Sequence, residues 1–397
     1  MNPLSERINR LTESATLAMA RKSRELTAKG FDIINLSLGE PDFNTPDFVK
    51  EAAKKAIDNN FTKYTPVNGY LDLREAISKK FKRDNNLDYS PDQVIVSTGA
   101  KQSIANAVMS LVDPGDEVVI PTPFWVSYEE MVKLAEGKCV FIKTALESDF
   151  KITKEQLEKA VTPKTKLMIF SSPCNPTGSV YTKDELKGIA EVMEKNPKLH
   201  VIADEIYEYI TFSGKHESLA QFSSIKERVI TVNGVSKGYS MTGWRIGYIG
   251  ASKEIADACN KMQGQITSGT CSIAQKAAKV AIDSEPAVTI PMRDAFLRRR
   301  DLIIGLLKEI PGIKTNLPQG AFYVFPDVSS FFGKSDGKVT INNADDLSMY
   351  LLTEAKVALV SGEAFGEANC IRISYATSEH VITEAIKRIK DALDLLK

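Results

Sequence analysis

The sequence predicts an α/β protein: a large unit with a mostly parallel sheet covered by helices, joined to a smaller α+β unit. Three observations carry this. Short β-branched runs alternate with helical patterns through the middle of the chain, and the texture changes after about Pro291. The 397 residues also suffice for roughly two to three domains and a large core.

In chain order, residues 15–29 (ATLAMARKSRELTAK) read as a helix ended by Gly30. Residues 93–97 (QVIVS) read as a strand leading into a helix over 100–112, where Ile104, Val108, Leu111 and Val112 share a face. Six more strand candidates follow, at 117–120, 139–143, 167–171, 200–203, 229–232 and 245–249. Among them, Thr182 and Glu185 have capping-box spacing and open a helix over 183–195. Beyond Pro291 come an amphipathic helix over 292–309, short strands near 321–325 and 371–375, and helices near 344–355 and 379–396. The run Arg298-Arg299-Arg300 in the long helix reads as a solvated face. No internal repeat or Pro/Gly/Ser-rich linker is present.

Composition narrows the function classes. With 51 Lys+Arg against 51 Asp+Glu, the net charge is zero, which removes the bulk electrostatic case for nucleic acid or an anionic membrane as partner. A hydrophobic share of 43% and a charged share of 26% exclude disorder and collagen-like or low-complexity architectures. The five cysteines are scattered without a C-x-x-C pair and read as reduced thiols. The opening Met-Asn-Pro-Leu-Ser-Glu-Arg lacks an apolar signal core, and no apolar run is long enough to span a bilayer, so a cytoplasmic protein is expected.

Several familiar signatures fail at identifiable residues. Gly333-Lys334-Ser335 would end a P-loop only if position 328 were glycine, and it is Val328. Gly238 to Gly243 is one residue too long for a nucleophile elbow. His216-Glu217 has Ala220 where a second zinc-binding histidine belongs, and three histidines in all make a histidine-rich metal site unexpected. No G-x-G-x-x-G follows a strand.

Four polar clusters instead sit where strands end, the place where open α/β sheets collect ligands. Ser97-Thr98-Gly99-Ala100-Lys101 can bring backbone N–H groups and a helix N-terminus to a phosphate; an ordinary strand–helix turn would look similar. Ser172-Pro173-Cys174-Asn175-Pro176-Thr177-Gly178 is a rigid turn that can fix Asn175. Asp204 ends an apolar strand, where a carboxylate needs a partner or serves as a helix cap. Lys237 lies in a Gly/Ser-rich loop eight residues before Arg245. A lysine desolvated near another cation becomes a nucleophile toward carbonyls.

Taken in order, these pieces resemble the fold-type I, class I aminotransferases that use pyridoxal 5′-phosphate, and most closely the bacterial aspartate aminotransferases. The resemblance rests on Leu38-Gly39-Glu40-Pro41-Asp42-Phe43, Lys63-Tyr64, the Ser97–Lys101 cluster, Asn175-Pro176-Thr177-Gly178, Asp204-Glu205-Ile206-Tyr207, Ser236-Lys237, Gly243-Trp244-Arg245-Ile246-Gly247 and Arg372-Ile373-Ser374-Tyr375. It spans about residues 10–390. It implies the seven-stranded-type sheet of that fold, with a cofactor domain over 40–290 and a small domain built from 1–39 and 291–397.

By that resemblance, Lys237 bonds covalently to the cofactor and later moves the substrate's Cα proton. Asp204 pairs with the pyridine nitrogen, Tyr207 and Asn175 reach the phenolic oxygen, and Trp125 stacks on the ring. Gly99, Ala100, Lys101, Ser236 and Arg245 hold the phosphate, with Tyr64 reaching it from the neighbouring subunit of a homodimer. Arg372 clamps the substrate α-carboxylate, Gly39 makes a backbone contact to substrate, Trp125 and Asn175 also touch it, and Lys101 takes the distal carboxylate. The implied reaction is L-aspartate plus 2-oxoglutarate giving oxaloacetate and L-glutamate in ping-pong halves, with no metal. The chain departs from the family at Thr12-Glu13, where Lys-Pro is common before Ser14-Ala15-Thr16. Arg10 stands where some relatives that also use prephenate carry an arginine. Aromatic, alanine or aspartate/prephenate aminotransferases and carbon–sulfur β-lyases share the cofactor residues and remain alternatives, as does a non-catalytic cofactor-sensing regulator.

Overall fold

The computed structural model describes residues 3–397; the first two residues of the 1–39 segment, and with them the opening of the signal-region reading, lie outside the described residues. The seven strands of the large sheet are β1 (Val94–Ser97), β2 (Glu117–Thr122), β3 (Lys138–Lys143), β4 (Thr165–Ser171), β5 (His200–Asp204), β6 (Val229–Gly234) and β7 (Gly247–Gly250), in the spatial order β1-β7-β6-β5-β4-β2-β3. The pairs β2–β3, β2–β4, β4–β5 and β5–β6 are parallel, whereas β7 runs antiparallel to both β6 and β1. The geometry of the connections explains this. Parallel neighbours need a long crossover, helical from β2 to β3 and from β4 to β5 and irregular from β5 to β6, while β6 returns as β7 through a shorter loop, and that loop carries Lys237.

Both faces of the sheet are buried, which is why its strands read as continuous apolar runs. Neighbouring residues enter opposite clusters: Val96, Val119, Met168, Val201, Val229 and Tyr248 on one face, Ile95, Val118, Leu167, Ile202, Ile230 and Ile249 on the other. At the edge, β3 carries exposed Lys138 and Lys143, charges that discourage pairing with another chain. The Thr182 capping box forms at the head of helix Lys183–Lys195, as its spacing predicts.

A separate cluster gathers Phe296, Ile303 and Leu307 of helix Ile290–Lys308 with Phe322, Val324, Ile373, Ile386 and Ile389. It surrounds a three-stranded antiparallel sheet of Val360–Ser361, Ile371–Ser374 and Tyr323–Val324. The segment Ile34–Asn35 pairs with Val357–Ala358 and ties the N-terminal stretch to this part of the chain.

Three readings are corrected. The strand expected over 245–249 starts at Gly247, because Arg245 closes a 3-10 turn in the left-handed region, φ 59°. The helix near 344–355 is α-helical only over Ala344–Tyr350 and continues as a π turn, Leu351–Ala355. The arginine run is not a solvated face. Only Arg298 is exposed; Arg299 is buried, pairs with Asp42 at 2.7 and 2.9 Å and lies over the Phe43 and Phe296 rings. Arg300 donates to the Pro318 carbonyl at 3.0 Å and covers Phe212. Arg299 falls on the stripe of Phe296 and Ile303, three residues back and four ahead, which faces the core.

Candidate active site

At the C-terminal ends of the parallel strands lies a cavity of about 360 Å³, between the large sheet and the small one. Of the residues singled out from sequence, Gly39, Ala100, Lys101, Trp125, Asn175, Asp204, Tyr207, Ser236, Lys237, Arg245 and Arg372 all line it. Gly99 stands just behind, with φ +83°; a Cβ there would fall 2.2 Å from Arg245 Nη2. Tyr64 does not join them and is fully exposed. Separate stretches from Gly39 to Arg372 therefore converge on one site.

Asp204 ends β5 in full burial. Tyr128 Oη donates to its Oδ2 at 2.8 Å and the Ile206 N–H to its Oδ1 at 3.3 Å. Burial raises the carboxyl to about 6, with the bond from Tyr128 working the other way. Lys237 donates to the Gly39 carbonyl and lies 5.7 and 5.8 Å from the Tyr207 and Phe322 ring centroids. Burial lowers its ammonium to about 8; Glu40 opposes that, and Arg372 and Arg245 reinforce it. The site thus holds a buried acid and a half-buried amine, each displaced toward neutrality.

Arg372 is 1% exposed yet meets no carboxylate among the described residues. Its Nη1 donates to Asn175 Oδ1 at 3.0 Å, its Nη2 to the Ser37 carbonyl, and its Nε is without a partner. The rings of Tyr323 and Phe365 flank the guanidinium at 4.7 and 4.9 Å. Arg245 likewise donates only to carbonyls, those of Thr242 (2.9 Å) and Thr98 (3.4 Å). Lys101 sits 5.0 Å from the Trp125 ring centroid, its ammonium shifted down by burial and then by Arg245. Four cations facing carbonyls, an amide and aromatic rings constitute an anion site. At one end, Arg245 and Ser236 adjoin the start of helix Ala100–Leu111, a place suited to a phosphate.

Two aromatic lining residues escaped the sequence reading. Tyr128 lies three residues after Trp125 and packs edge-on against it at 5.5 Å; that helical spacing was the available signal. Tyr323 bonds Tyr207 Oη to Oη at 2.8 Å, and Gly39 is pressed so close that a Cβ there would fall 2.4 Å from its hydroxyl. Its run, Ala321 to Phe325, is indistinguishable in sequence from plain core. Arg10 lines none of this; it pairs with Glu136 at 3.4 Å on the surface.

The fold and this site define a transaminase: the chain belongs to the aminotransferase class I and II family, which it matches over residues 32–389, and its cofactor is pyridoxal 5′-phosphate. Among similar proteins, a probable aspartate/prephenate aminotransferase of Rickettsia bellii (strain RML369-C) is 50% identical over 396 residues, 99% of each chain. The aspartate/prephenate aminotransferase of Cereibacter sphaeroides (strain ATCC 17029 / ATH 2.4.9) is 47% identical over 98% of each. The crystal structure of the aspartate aminotransferase from Rhizobium meliloti superposes with a TM-score of 0.96 at 41% identity, covering 100% of both chains. That of Thermus thermophilus with maleate gives 0.93 at 39%, covering 99% of this chain and 100% of the other.

Proposed function

We propose that this transaminase moves the amino group of L-aspartate to 2-oxoglutarate, giving oxaloacetate and L-glutamate in two ping-pong halves. One observation carries the reading: Arg372 and Lys101 open on the same cavity as Lys237, with no carboxylate of the described residues paired to either. A dicarboxylate substrate supplies the two charges they lack. Arg372 takes the α-carboxylate in bidentate fashion and Lys101 the distal one.

The residues fit the cofactor. Asp204 is a buried carboxylate held by Tyr128 and the Ile206 N–H with no cation of the described residues paired to it, Gly99 lacks a Cβ that would fall 2.2 Å from Arg245 Nη2, and the phosphate end is cationic. Gly99, Ala100, Lys101, Ser236 and Arg245 would hold the phosphate, Asp204 the pyridine nitrogen, Tyr207 and Asn175 the phenolic oxygen, Trp125 the ring face, and Lys237 the carbonyl carbon. When bound, the cofactor supplies the electron sink that acidifies the substrate's Cα–H bond. The chain's own groups do the rest. Arg372 and Gly39 orient the amino acid so that its Cα–H faces Lys237 Nζ, and Lys237 takes that proton and returns it to the cofactor side. Tyr128 holds Asp204 in one orientation.

We read 40–290 as the cofactor domain and 1–39 with 291–397 as the small domain; the separate buried clusters support this. A homodimer in which Tyr64 serves the neighbouring site is supported by its full exposure outside its own cavity. The segments around it and around residue 264 pack together, with Gln263 Nε2 donating to the Val67 carbonyl at 2.6 Å, and expose Leu71 and Ile266. Among the described residues no helix is long and apolar enough to cross a membrane, and the five cysteines are free, which supports work in the cytoplasm. Prephenate is a second acceptor in this reading. A further chamber of about 490 Å³ adjoins the cavity through Ser14, Lys101 and Ser127, and the relatives' names include that substrate.

The test is a panel of aspartate, alanine, phenylalanine and cystathionine with several oxo acids. Aspartate should give the highest kcat/KM, and Lys237→Ala should lower turnover by roughly 10⁴-fold. Lys101→Ala, assayed at saturating cofactor because Lys101 also adjoins the phosphate end, should cost aspartate roughly tenfold or more in kcat/KM relative to alanine, since it removes one charge-assisted bond worth about 1.5–3 kcal/mol. Equal losses with both donors would reject the distal-carboxylate role.

A further inference from the structure

The turn that carries Asp204 and Tyr207 presents its alternate side chains in the opposite direction, to a second set of buried charges. Asp204 and Tyr207 line the cavity; Glu205 and Glu208, with the same spacing of three, do not. Glu208 N–H donates to the Glu205 carbonyl at 3.0 Å, closing the turn. Glu205 is 2% exposed, with His216 Nε2 at 3.0 Å from Oε2 and Ser218 Oγ donating to Oε1 at 2.7 Å. Glu208 pairs with the buried ammonium of Lys80, and Asn85 Nδ2 donates to its other oxygen at 3.0 Å. Lys80 also donates to Asn85 Oδ1 at 2.8 Å and lies 3.9 Å from Asp84. The turn is therefore gripped from behind by two ion pairs, one from helix Leu71–Asn85 and one from the loop beyond Thr211.

The charges count simply. Ligand-type atoms of Glu205, Glu208 and His216 lie within 4.8 Å of one another; with Asp84 matched by Arg83 at 2.6 and 3.0 Å, Lys80 supplies a single positive charge against the two remaining carboxylates. The cluster is neutral only with His216 protonated. Burial works against that charge, but Glu205 and then Glu208 outweigh it and raise the imidazole above its ordinary value. Lys80 on the helix side opposes the proton, and Asp204 and Tyr89 are the other titratable groups coupled to Glu205. A buried carboxylate left without its partner would act at once on its chain neighbour Asp204, whose own carboxyl Glu205 already pushes upward.

We propose that His216 and Lys80 are positioning residues of the active site: by pairing with Glu205 and Glu208 they fix the turn and cancel its charge, so that Asp204 is presented to the cofactor as a carboxylate. The inference rests on the reading of Asp204 given above. It does not follow from that reading, which needs neither His216 nor Lys80.

The test is the affinity of the apoprotein for pyridoxal 5′-phosphate as a function of pH, in wild type, His216→Gln, Glu205→Gln/His216→Gln and Lys80→Gln. The cofactor's own phosphate titration is common to all four and cancels in comparison. Binding should weaken on the acid side as Asp204 protonates near 6. His216→Gln should move that acid limb upward by roughly half to one pH unit, because one buried negative charge is left uncompensated. The double variant, which removes both charges, should bring it back, and Lys80→Gln should move it upward through the other pair should His216→Gln not accumulate folded. A uniform loss of affinity with the limb in place, or a lowered melting temperature alone, would overturn the proposal and leave the network a stabilising device. A wild-type chain that takes up no cofactor would overturn the functional reading and this inference with it.

Discussion

As the proposed base, Lys237 is made reactive by where it sits, and the sequence already contained the ingredients of that proposal. A lysine in a Gly/Ser-rich loop after a strand, eight residues before an arginine, could be desolvated beside a cation; it is, beside Arg372 and Arg245, and its ammonium falls to about 8. The chemical consequence has a definite sign. The free amine is the reactive form, so covalent capture of pyridoxal 5′-phosphate by the apoprotein should accelerate as pH rises through about 8 and level off above it. Stopped-flow absorbance across pH 6 to 10 checks this; a rise continuing toward the ordinary lysine value of about 10.4 would mean the amine is not desolvated. Asp204 was legible in the same way, as a carboxylate ending an apolar strand. Its partner Tyr128 was not, because the bond joins residues 76 apart and nothing in either neighbourhood names the other. The buried Arg299 shows the opposite error: three arginines in a row suggest solvent, yet helical geometry turns one of them onto Asp42.

Elements were legible where burial is total and obscured where polar groups enter the core. Six of the seven large-sheet strands stood out because both of their faces are buried, and the edge strand β3 through its short apolar run over 139–142 between lysines. Helix Lys253–Ile266 was not read, and its buried Gln263 shows why: a polar residue on the inward stripe breaks the apolar period, although it donates to the Val67 and Val96 carbonyls at 2.6 and 2.8 Å. The left-handed Arg245 was likewise invisible, since arginine carries no preference for that region. The contact of β7 with the phosphate end of the site gives a test at this scale. A Cβ on Gly247 would fall 2.1 Å from the Ala100 nitrogen and 2.4 Å from the Gly99 carbonyl carbon, both backbone atoms with nowhere to yield. Gly247→Ala should therefore push the helix start away from the cavity, lowering stability by roughly 1–3 kcal/mol and weakening cofactor binding together. Gly243→Ala, whose Cβ meets nothing within 4 Å, should leave the melting temperature in place. Calorimetry with a cofactor titration reads both.

At the scale of the whole molecule, zero net charge is the sum over a surface and says nothing of a cavity where Lys101, Lys237, Arg245 and Arg372 meet. A single chain also leaves the phosphate end incomplete in this reading: Arg245 is exposed, and Tyr64 projects fully into solvent outside its own cavity. A twofold dimer would cover both by bringing each Tyr64 to the other chain's Arg245. The arrangement can be tested by mixing two crippled chains. In a hybrid of Lys237→Ala with Tyr64→Ala, one site combines both defects, while the other joins the intact Lys237 of one chain to the intact Tyr64 of its partner. After random re-association of equal amounts, half of the dimers are hybrids with one native site each, so activity should recover to about a quarter of the wild-type value from two impaired parents. If Tyr64 served its own chain, every site in the hybrid would carry a defect and mixing would restore nothing. Size-exclusion chromatography of the same mixture, giving one species of twice the 43.7 kDa chain mass, fixes the stoichiometry the recovery depends on.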